Sequence, residues 1–257
     1  MKKPRQVITD NASLRKQYDT LRADDICVGR IRLRPSEEHL LLDLVERGVL
    51  FIPSALSQLA SRSKTMQALL FAPYMLPETR AVHDQHDLLD AMGRFRKRGI
   101  DTVVTKQDRS NAGLGIHCWS SLEEVYNYAS LKLLPYPFVI QPFYENCRDI
   151  RVIILGDYEE AYWRDNPYNF RNNLSLGGES TPADLTAEQR TMCQQVMERG
   201  KFPYAHLDFM VTPVGETYLS EINLRGGIKG AKIHPDEYRN RLEQIHQQEV
   251  QNMLGEG

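Results

Sequence analysis

Two strands joined at Val214-Gly215 carry the side chains of this chain best suited to chemistry. Gly215 allows the positive φ that a tight hairpin needs. A two-residue turn, with Pro213 opposite Glu216, sets Asp208 opposite Glu221 and His206 opposite Asn223. Strand side chains alternate between faces, so these four share a face with Met210 and Leu219. Leu207, Phe209 and Val211 then lie with Tyr218, Ser220 and Ile222 on the other face, which is mostly apolar and belongs in a core. The first face holds two carboxylates side by side with no Lys or Arg between them. Like charges directly opposite destabilise a sheet, and a divalent cation removes that penalty. Asp, Glu and Asn oxygens are hard ligands of the kind Mg²⁺ takes. A solvated polar face is the plainer alternative, and the Arg225-Gly226-Gly227 turn that follows weighs against it.

Three further stretches offer chemistry. Lys106 ends a β-branched run and is followed by a polar loop containing Gly113 and Gly115. Those glycines would let a backbone loop close over phosphates, with Lys106 as a point charge on them. The order is not that of a P-loop, because the lysine precedes the glycines and no Gly-Lys-Ser/Thr is present; alone, it also suits a plain hairpin. Gln141-Pro142-Phe143-Tyr144 ends an apolar strand, and Asp149-Ile150-Arg151 puts a carboxylate and a guanidinium on one strand face, as a surface ion pair also would. Phe170-Arg171-Asn172-Asn173 lies in a loop rich in Gly and Asn. It offers a charged fork and two amides, or simply a solvated loop.

The elements that position these residues alternate between helix and strand signals. Residues 1–62 read as a small α/β unit. Its strand starts at Ile26, a helix opens at Pro35 or Ser36 and stops at Gly48, and a short buried strand runs from Val49 to Ile52. Ser54 to Phe71 reads as one helix, ended by Pro73 and Pro77. Asp84 to Arg98 reads as the next helix, and Asp101–Lys106 and Ile116–Trp119 as strands. Ser121-Leu122-Glu123-Glu124 is a capping box for a helix toward Leu134, and Pro135 and Pro137 mark a boundary. Beyond it, Phe138–Gln141 is β-prone, and Ile150–Leu155 and Tyr158–Arg164 form a hairpin about Gly156-Asp157. Asn166 to Ser180 reads as a polar loop. Thr186 to Gln189 caps a helix that stops at Gly200, and a closing helix starts at Pro235 with Tyr238, Leu242 and Ile245 on one face.

The 257 residues carry a formal net charge of −2, which gives no electrostatic case for nucleic acid or an anionic membrane. The N-terminus leads into no apolar signal region, and no apolar run is long enough to span a bilayer. Cys27, Cys118, Cys147 and Cys193 are scattered and form no metal or redox pair, so they read as reduced thiols of a cytoplasmic protein.

In this order, from Ser63 to Lys232, the motifs resemble an ATP-grasp enzyme, closest to the RimK-type glutamate ligase and glutathione synthetase branch. The resemblance rests on Lys106 before its glycine loop, Gln141-Pro142-Phe143, Asp149-Ile150-Arg151, Phe170-Arg171-Asn172-Asn173-Leu174 with Gly177-Gly178, and Asp208 followed by Glu221-Ile222-Asn223. It implies an α+β ATP-grasp fold, two subdomains at 63–134 and 135–257 gripping ATP, behind the short unit at 1–62. It implies that Lys106 contacts the nucleotide phosphates, with Lys64 as a looser second lysine, and that the backbone of Pro142 and Phe143 faces adenine. Asp149 would hold the ribose side, and Arg171 and Asn173, beside Asn172, would reach the phosphates. Asp208, Glu221 and Asn223 would bind two Mg²⁺ ions, for which Mn²⁺ is a substitute. The family phosphorylates a carboxylate, and an amine or thiol then displaces the phosphate. This chain has Asn223-Leu224-Arg225-Gly226-Gly227-Ile228-Lys229-Gly230 where RimK-type ligases carry Asn-Ala/Ser-Pro-Gly, so Arg225 and Lys229 bring cations beside the metals that could hold an acceptor carboxylate or a phosphorylated substrate. The expected partners are a small-molecule or peptide carboxylate and an amine, without nucleic acid or membrane; homo-oligomer formation stays open. A kinase on the same scaffold is the alternative, and a nucleotide-binding regulator without turnover is the third reading.

Overall fold

The structure, a computed structural model, describes residues 5–110, 114–166 and 177–255. Its β structure divides into three sheets. In the first, β1 (Val7–Ile8), β2 (Ile26–Val28) and β3 (Leu50–Ile52) run parallel. Parallel neighbours need crossovers, here α1 (Asn11–Gln17) and α2 (Glu38–Glu46). Leu14, Leu41 and Leu44 of these helices close the core over Ile8, Cys27 and Phe51. Gly48, at φ +81°, ends α2 as expected. β1 and α1 are additional to the elements expected from the sequence, being too short to give a periodic signal.

Residues 54–71 do not form one helix. α3 (Ala55–Ala60) and α4 (Lys64–Leu70) are separated by a turn. Ser63 breaks the run because its hydroxyl accepts from the Met66 N–H and so caps α4. The Ser61 hydroxyl in the same turn accepts from the Leu224 N–H at 2.9 Å, which ties this corner to the loop after the hairpin that carries Asp208 and Glu221.

The second sheet follows. Its elements are β4 (Arg80–Val82), α5 (Gln85–Lys97), β5 (Val103–Gln107), β6 (Ile116–Trp119), α6 (Leu122–Ser130) and β7 (Phe138–Pro142), with strand order β4-β7-β5-β6. α5 and α6 cover one face through Leu88, Phe95 and Val125. Ser121 caps α6, but Glu124 reaches back to Ser120 rather than to Ser121, so the expected box is only half formed. The boundary expected at Pro135 falls inside this sheet, because β7 lies beyond it and pairs with both β4 and β5. Phe138 and Ile140 enter the second core while Val139 enters the third. Burial on both faces is what a continuous apolar run signals.

The third sheet has order β10-β9-β8-β11-β12 and is antiparallel throughout. Its strands are β8 (Arg148–Leu155), β9 (Tyr158–Asp165), β10 (Glu179–Ala183), β11 (Tyr204–Val211) and β12 (Thr217–Asn223). α7 (Ala187–Gly200), with a complete Thr186–Gln189 capping box, packs Cys193 and Val196 into the core with Ile150, Leu207 and Phe209. α8 (Pro235–Gly255) adds Tyr238, Leu242 and Ile245. β10 starts inside the stretch read as loop; it is an edge strand, where Pro182 is tolerated.

The β11–β12 hairpin departs from expectation twice. Its turn holds three residues, because the Thr212 N–H bonds the Glu216 carbonyl. That moves the register by one. A bulge then moves it back: Phe209 faces Leu219, Asp208 faces Glu221, and Ser220 is left without a partner. The Asp208–Glu221 and His206–Asn223 pairs are therefore as expected, but Leu219 is buried in the core beside Phe209 and not on the carboxylate face. Among the described residues no helix is long and apolar enough to cross a membrane.

Candidate active site

The register of the third sheet gathers charge on one face. Asp208 on β11 has Arg151 of β8 as its neighbour, and Asp149 on β8 has Arg164 of β9. Arg151 grips Asp208 with a two-pronged fork, Nε donating to Oδ1 at 2.8 Å and Nη2 to Oδ2 at 2.7 Å. Arg164 bridges both acids, with Nε 2.5 Å from Asp149 Oδ1 and Nη2 3.1 Å from Asp208 Oδ2. Burial works against the charge on Asp208, but Arg151 and Arg164 override it and hold the carboxyl well below its usual range. Burial outweighs Arg164 at Asp149 and pushes its carboxyl up from the usual range.

This corrects the sequence-based picture of carboxylates with no cation between them. The cations come from the neighbouring strands β8 and β9, which the hairpin alone could not show. Arg164 is the residue that reading missed as a site residue. A two-residue turn at Gly156-Asp157 puts it opposite Asp149.

Two lysines face this cluster from other elements. Lys106, near the end of β5, reaches the bulge residue Ser220, 3.2 Å from its Oγ and 3.4 Å from its carbonyl oxygen. Burial pulls the Lys106 ammonium down to about 8; Glu221 opposes this and Lys64 adds to it. Lys64, buried at the start of α4, donates to the Ser110 carbonyl and lies 3.6 Å from Glu221 Oε1. Four cations (Lys64, Lys106, Arg151, Arg164) thus meet three carboxylates (Asp149, Asp208, Glu221), a surplus that suits a bound anion.

Gly115 sits at φ +73°, and a Cβ there would lie 2.7 Å from Gln107 Cβ, so the loop closes on glycine. Gly113, Arg171, Asn172 and Asn173 lie outside the described residues. On β7, Gln141 pairs with Val104 and Pro142 with Val103, and the Phe143 N–H donates to the Thr102 carbonyl at 3.0 Å. That N–H therefore serves the β5–β7 edge. Arg225 and Lys229 are exposed on the loop after β12. That loop presses Gly226 against His206, where a Cβ would come within 2.6 Å of Nδ1.

Glu221 and Asn223 share a face of β12 and offer hard oxygens to a divalent ion. Among the described residues no three His, Cys, Asp or Glu side chains group into a protein cage. Mg²⁺ does not need one, since it keeps waters and takes phosphate oxygens with one or two carboxylates. A carboxylate has about four lone-pair sites. The arginines take three on Asp208, so Asp208 can add one more contact. The donor set fits Mg²⁺ together with a nucleotide.

A family model described as RimK-like ATP-grasp domain matches residues 60–236. No curated protein matches the chain by sequence. Among solved structures, D-alanyl-alanine synthetase A from Vibrio cholerae is similar at 16% identity and TM-score 0.60, over 90% of this chain and 77% of that one. The D-cycloserine synthetase DcsG is similar at 13% identity and TM-score 0.63, over 94% and 100%. The biotin carboxylase domain of Hydrogenobacter thermophilus 2-oxoglutarate carboxylase, in complex with MgADP, ADP and bicarbonate, is similar at 18% identity and TM-score 0.57, over 85% and 51%. At such identities these likenesses speak to fold alone.

Proposed function

Because this chain belongs to the RimK-like ATP-grasp family of ATP-dependent ligases, we propose that it activates a carboxylate as an acyl-phosphate and passes the acyl group to an amine or thiol. The observation that carries this reading is that Lys64 and Lys106 reach Glu221 and Ser220 of β12, on the sheet that holds the Arg151–Arg164 cluster. Phosphoryl transfer asks a protein for positioning and for neutralised charge, and this arrangement supplies both. The gripping units are then the second and third sheets, with the division after β7 rather than at Pro135.

ATP lies between them, its adenine near Gln141-Pro142-Phe143 and its phosphates on Lys64 and Lys106. Asp149 holds Arg164 in place and lies on the ribose side. Glu221, Asn223 and the remaining lone pair of Asp208 would hold two Mg²⁺ ions, or Mn²⁺ in substitution, which neutralise phosphate charge when bound. A substrate carboxylate oxygen attacks the γ-phosphorus, and the bond to the β–γ bridging oxygen breaks to release ADP. Arg171, with Asn172 and Asn173 beside it, steadies the transferring phosphoryl. The acceptor nitrogen or sulfur, oriented by Arg225 and Lys229, then attacks the acyl carbon. Phosphate leaves with the former carboxylate oxygen, and the acceptor's proton passes to solvent. All four cysteines are free thiols, which supports a reducing compartment such as the cytoplasm.

The test is a panel of carboxylic acids offered with ATP, Mg²⁺ and hydroxylamine. The ligase reading expects ADP and a hydroxamate with at least one acid. A stable phosphorylated product untouched by hydroxylamine would make the protein a kinase instead.

A further inference from the structure

A second concentration of positive charge lies where the N-terminal unit meets the loop after β12. Two hydrogen-bonding anchors build it. Gln58, in α3, accepts from the Ile31 N–H at 2.8 Å and donates to the Gly29 carbonyl at 3.4 Å, so it clamps the residues on either side of Arg30. One turn later Ser61 accepts from the Leu224 N–H, which sets Arg62 and Arg225 beside each other in the chain path. Arg30 and Arg225 both act electrostatically on Tyr204 and Tyr238, and Arg30 acts on Arg62. The two anchors therefore bring Arg30, Arg62 and Arg225 to one corner of the fold from three separate segments.

Their surroundings do not neutralise them. Among the described residues no carboxylate forms an ion pair with Arg30, Arg62 or Arg225. Glu38 attracts Arg62 from a distance but is already paired with Arg109, and Asp208 is held by Arg151 and Arg164. Tyr238 donates or accepts at His206 Nε2, and Tyr204 at His246 Nε2, both at 2.9 Å. Nη1 of Arg62 is buried with no hydrogen-bond partner. Burial and the repulsion of Arg30 pull its guanidinium down to about 10, against the ordinary behaviour of arginine. A buried guanidinium nitrogen without an acceptor lowers stability, so half-buried Arg62 calls for a ligand that supplies the missing acceptor.

We propose that Arg30, Arg62 and Arg225 form a receptor for a doubly charged oxyanion, a phosphate monoester or a paired dicarboxylate, carried by the co-substrate of ATP. The proposal deepens the ligase reading and rests on it for the word co-substrate. Two features set the class. Three forked donors exceed what one monocarboxylate accepts, and bidentate guanidinium geometry matches phosphate and carboxylate oxygens. The receptor stands on residues 1–62 and on the loop after Asn223, so the small N-terminal unit selects the substrate that the other two sheets activate.

The experiment is calorimetry on the full chain with Mg²⁺ and the nonhydrolysable β,γ-imido analogue of ATP filling the nucleotide site. Inorganic phosphate and succinate are titrated at constant ionic strength. At least one probe should bind, and both Arg62→Gln and Arg30→Gln should weaken it tenfold or more while the affinity for the analogue changes less than twofold. Tighter phosphate than succinate identifies a phosphate monoester, and the reverse a dicarboxylate. Arg62→Gln should melt at the wild-type temperature or above, because it removes a buried donor nitrogen that has no acceptor. Absence of binding by both probes, or equal binding by wild type and both variants, overturns the proposal. If the analogue itself fails to bind wild type, the ligase reading fails, and the same titrations without nucleotide still decide the receptor.

Discussion

Ser220 is the residue that the β12 bulge leaves without a cross-strand partner, and it accepts the Lys106 ammonium at 3.2 Å on its hydroxyl. An irregularity in one sheet thus becomes the contact with another. The bulge also makes a test of register. Deleting Ser220 should leave Asp208 opposite Glu221 and Phe209 opposite Leu219, because only the extra residue is lost. The shortened chain should fold, lose about 1–3 kcal/mol for the acceptors taken from a buried charge, and bind ADP more weakly. Urea unfolding and ADP titration check this; an unfolded product would contradict the register.

Arg164 holds two acids at once. Arg164→Met should cost about 3–5 kcal/mol, since breaking a buried pair strands its partners. Adding Asp149→Asn should recover part of that loss, because one stranded charge disappears. A double-mutant cycle in denaturant checks the coupling, and strict additivity would contradict the bridge.

Lys106 sets a pH dependence. Its folded value of about 8 lies below the ordinary 10.5, so the unfolded chain holds the proton more tightly. The penalty is complete below pH 8 and disappears as pH rises through 10.5. Lys106→Met should therefore be more stable than wild type at pH 7, with the gap closing between pH 8 and 10.5. Nucleotide phosphates favour the charged lysine, so ADP binding near pH 8 should take up a proton in wild type and less of one in Lys106→Met. Calorimetry in buffers of different ionisation enthalpy reads that uptake.

Gly226 has no room for a side chain. Gly226→Ala would put a Cβ 2.6 Å from His206 Nδ1, so the loop carrying Arg225 must move. The variant should keep its nucleotide affinity while acceptor KM rises severalfold, and steady-state kinetics with the identified substrates check the split.

Much of this was legible in the sequence. Local signals placed α5, α7 and α8, and simple counting paired Asp208 with Glu221, although the three-residue turn and the bulge offset each other on the way. What stayed hidden depends on contacts distant in the chain. Arg151 and Arg164 reach Asp208 from β8 and β9, and β7 joins a sheet across the prolines that looked like its boundary. The break before α4 rests on a single serine cap, which a helical run of apolar residues conceals.

The fate of one oxygen atom tests the acyl-phosphate route most directly. The acid that supports hydroxamate formation is labelled with ¹⁸O in its carboxylate and turned over with its natural acceptor, ATP and Mg²⁺, and the released phosphate is weighed by mass spectrometry. An acyl-phosphate route predicts one ¹⁸O in each phosphate released. Phosphate free of label, with product formed at the same rate, would contradict it.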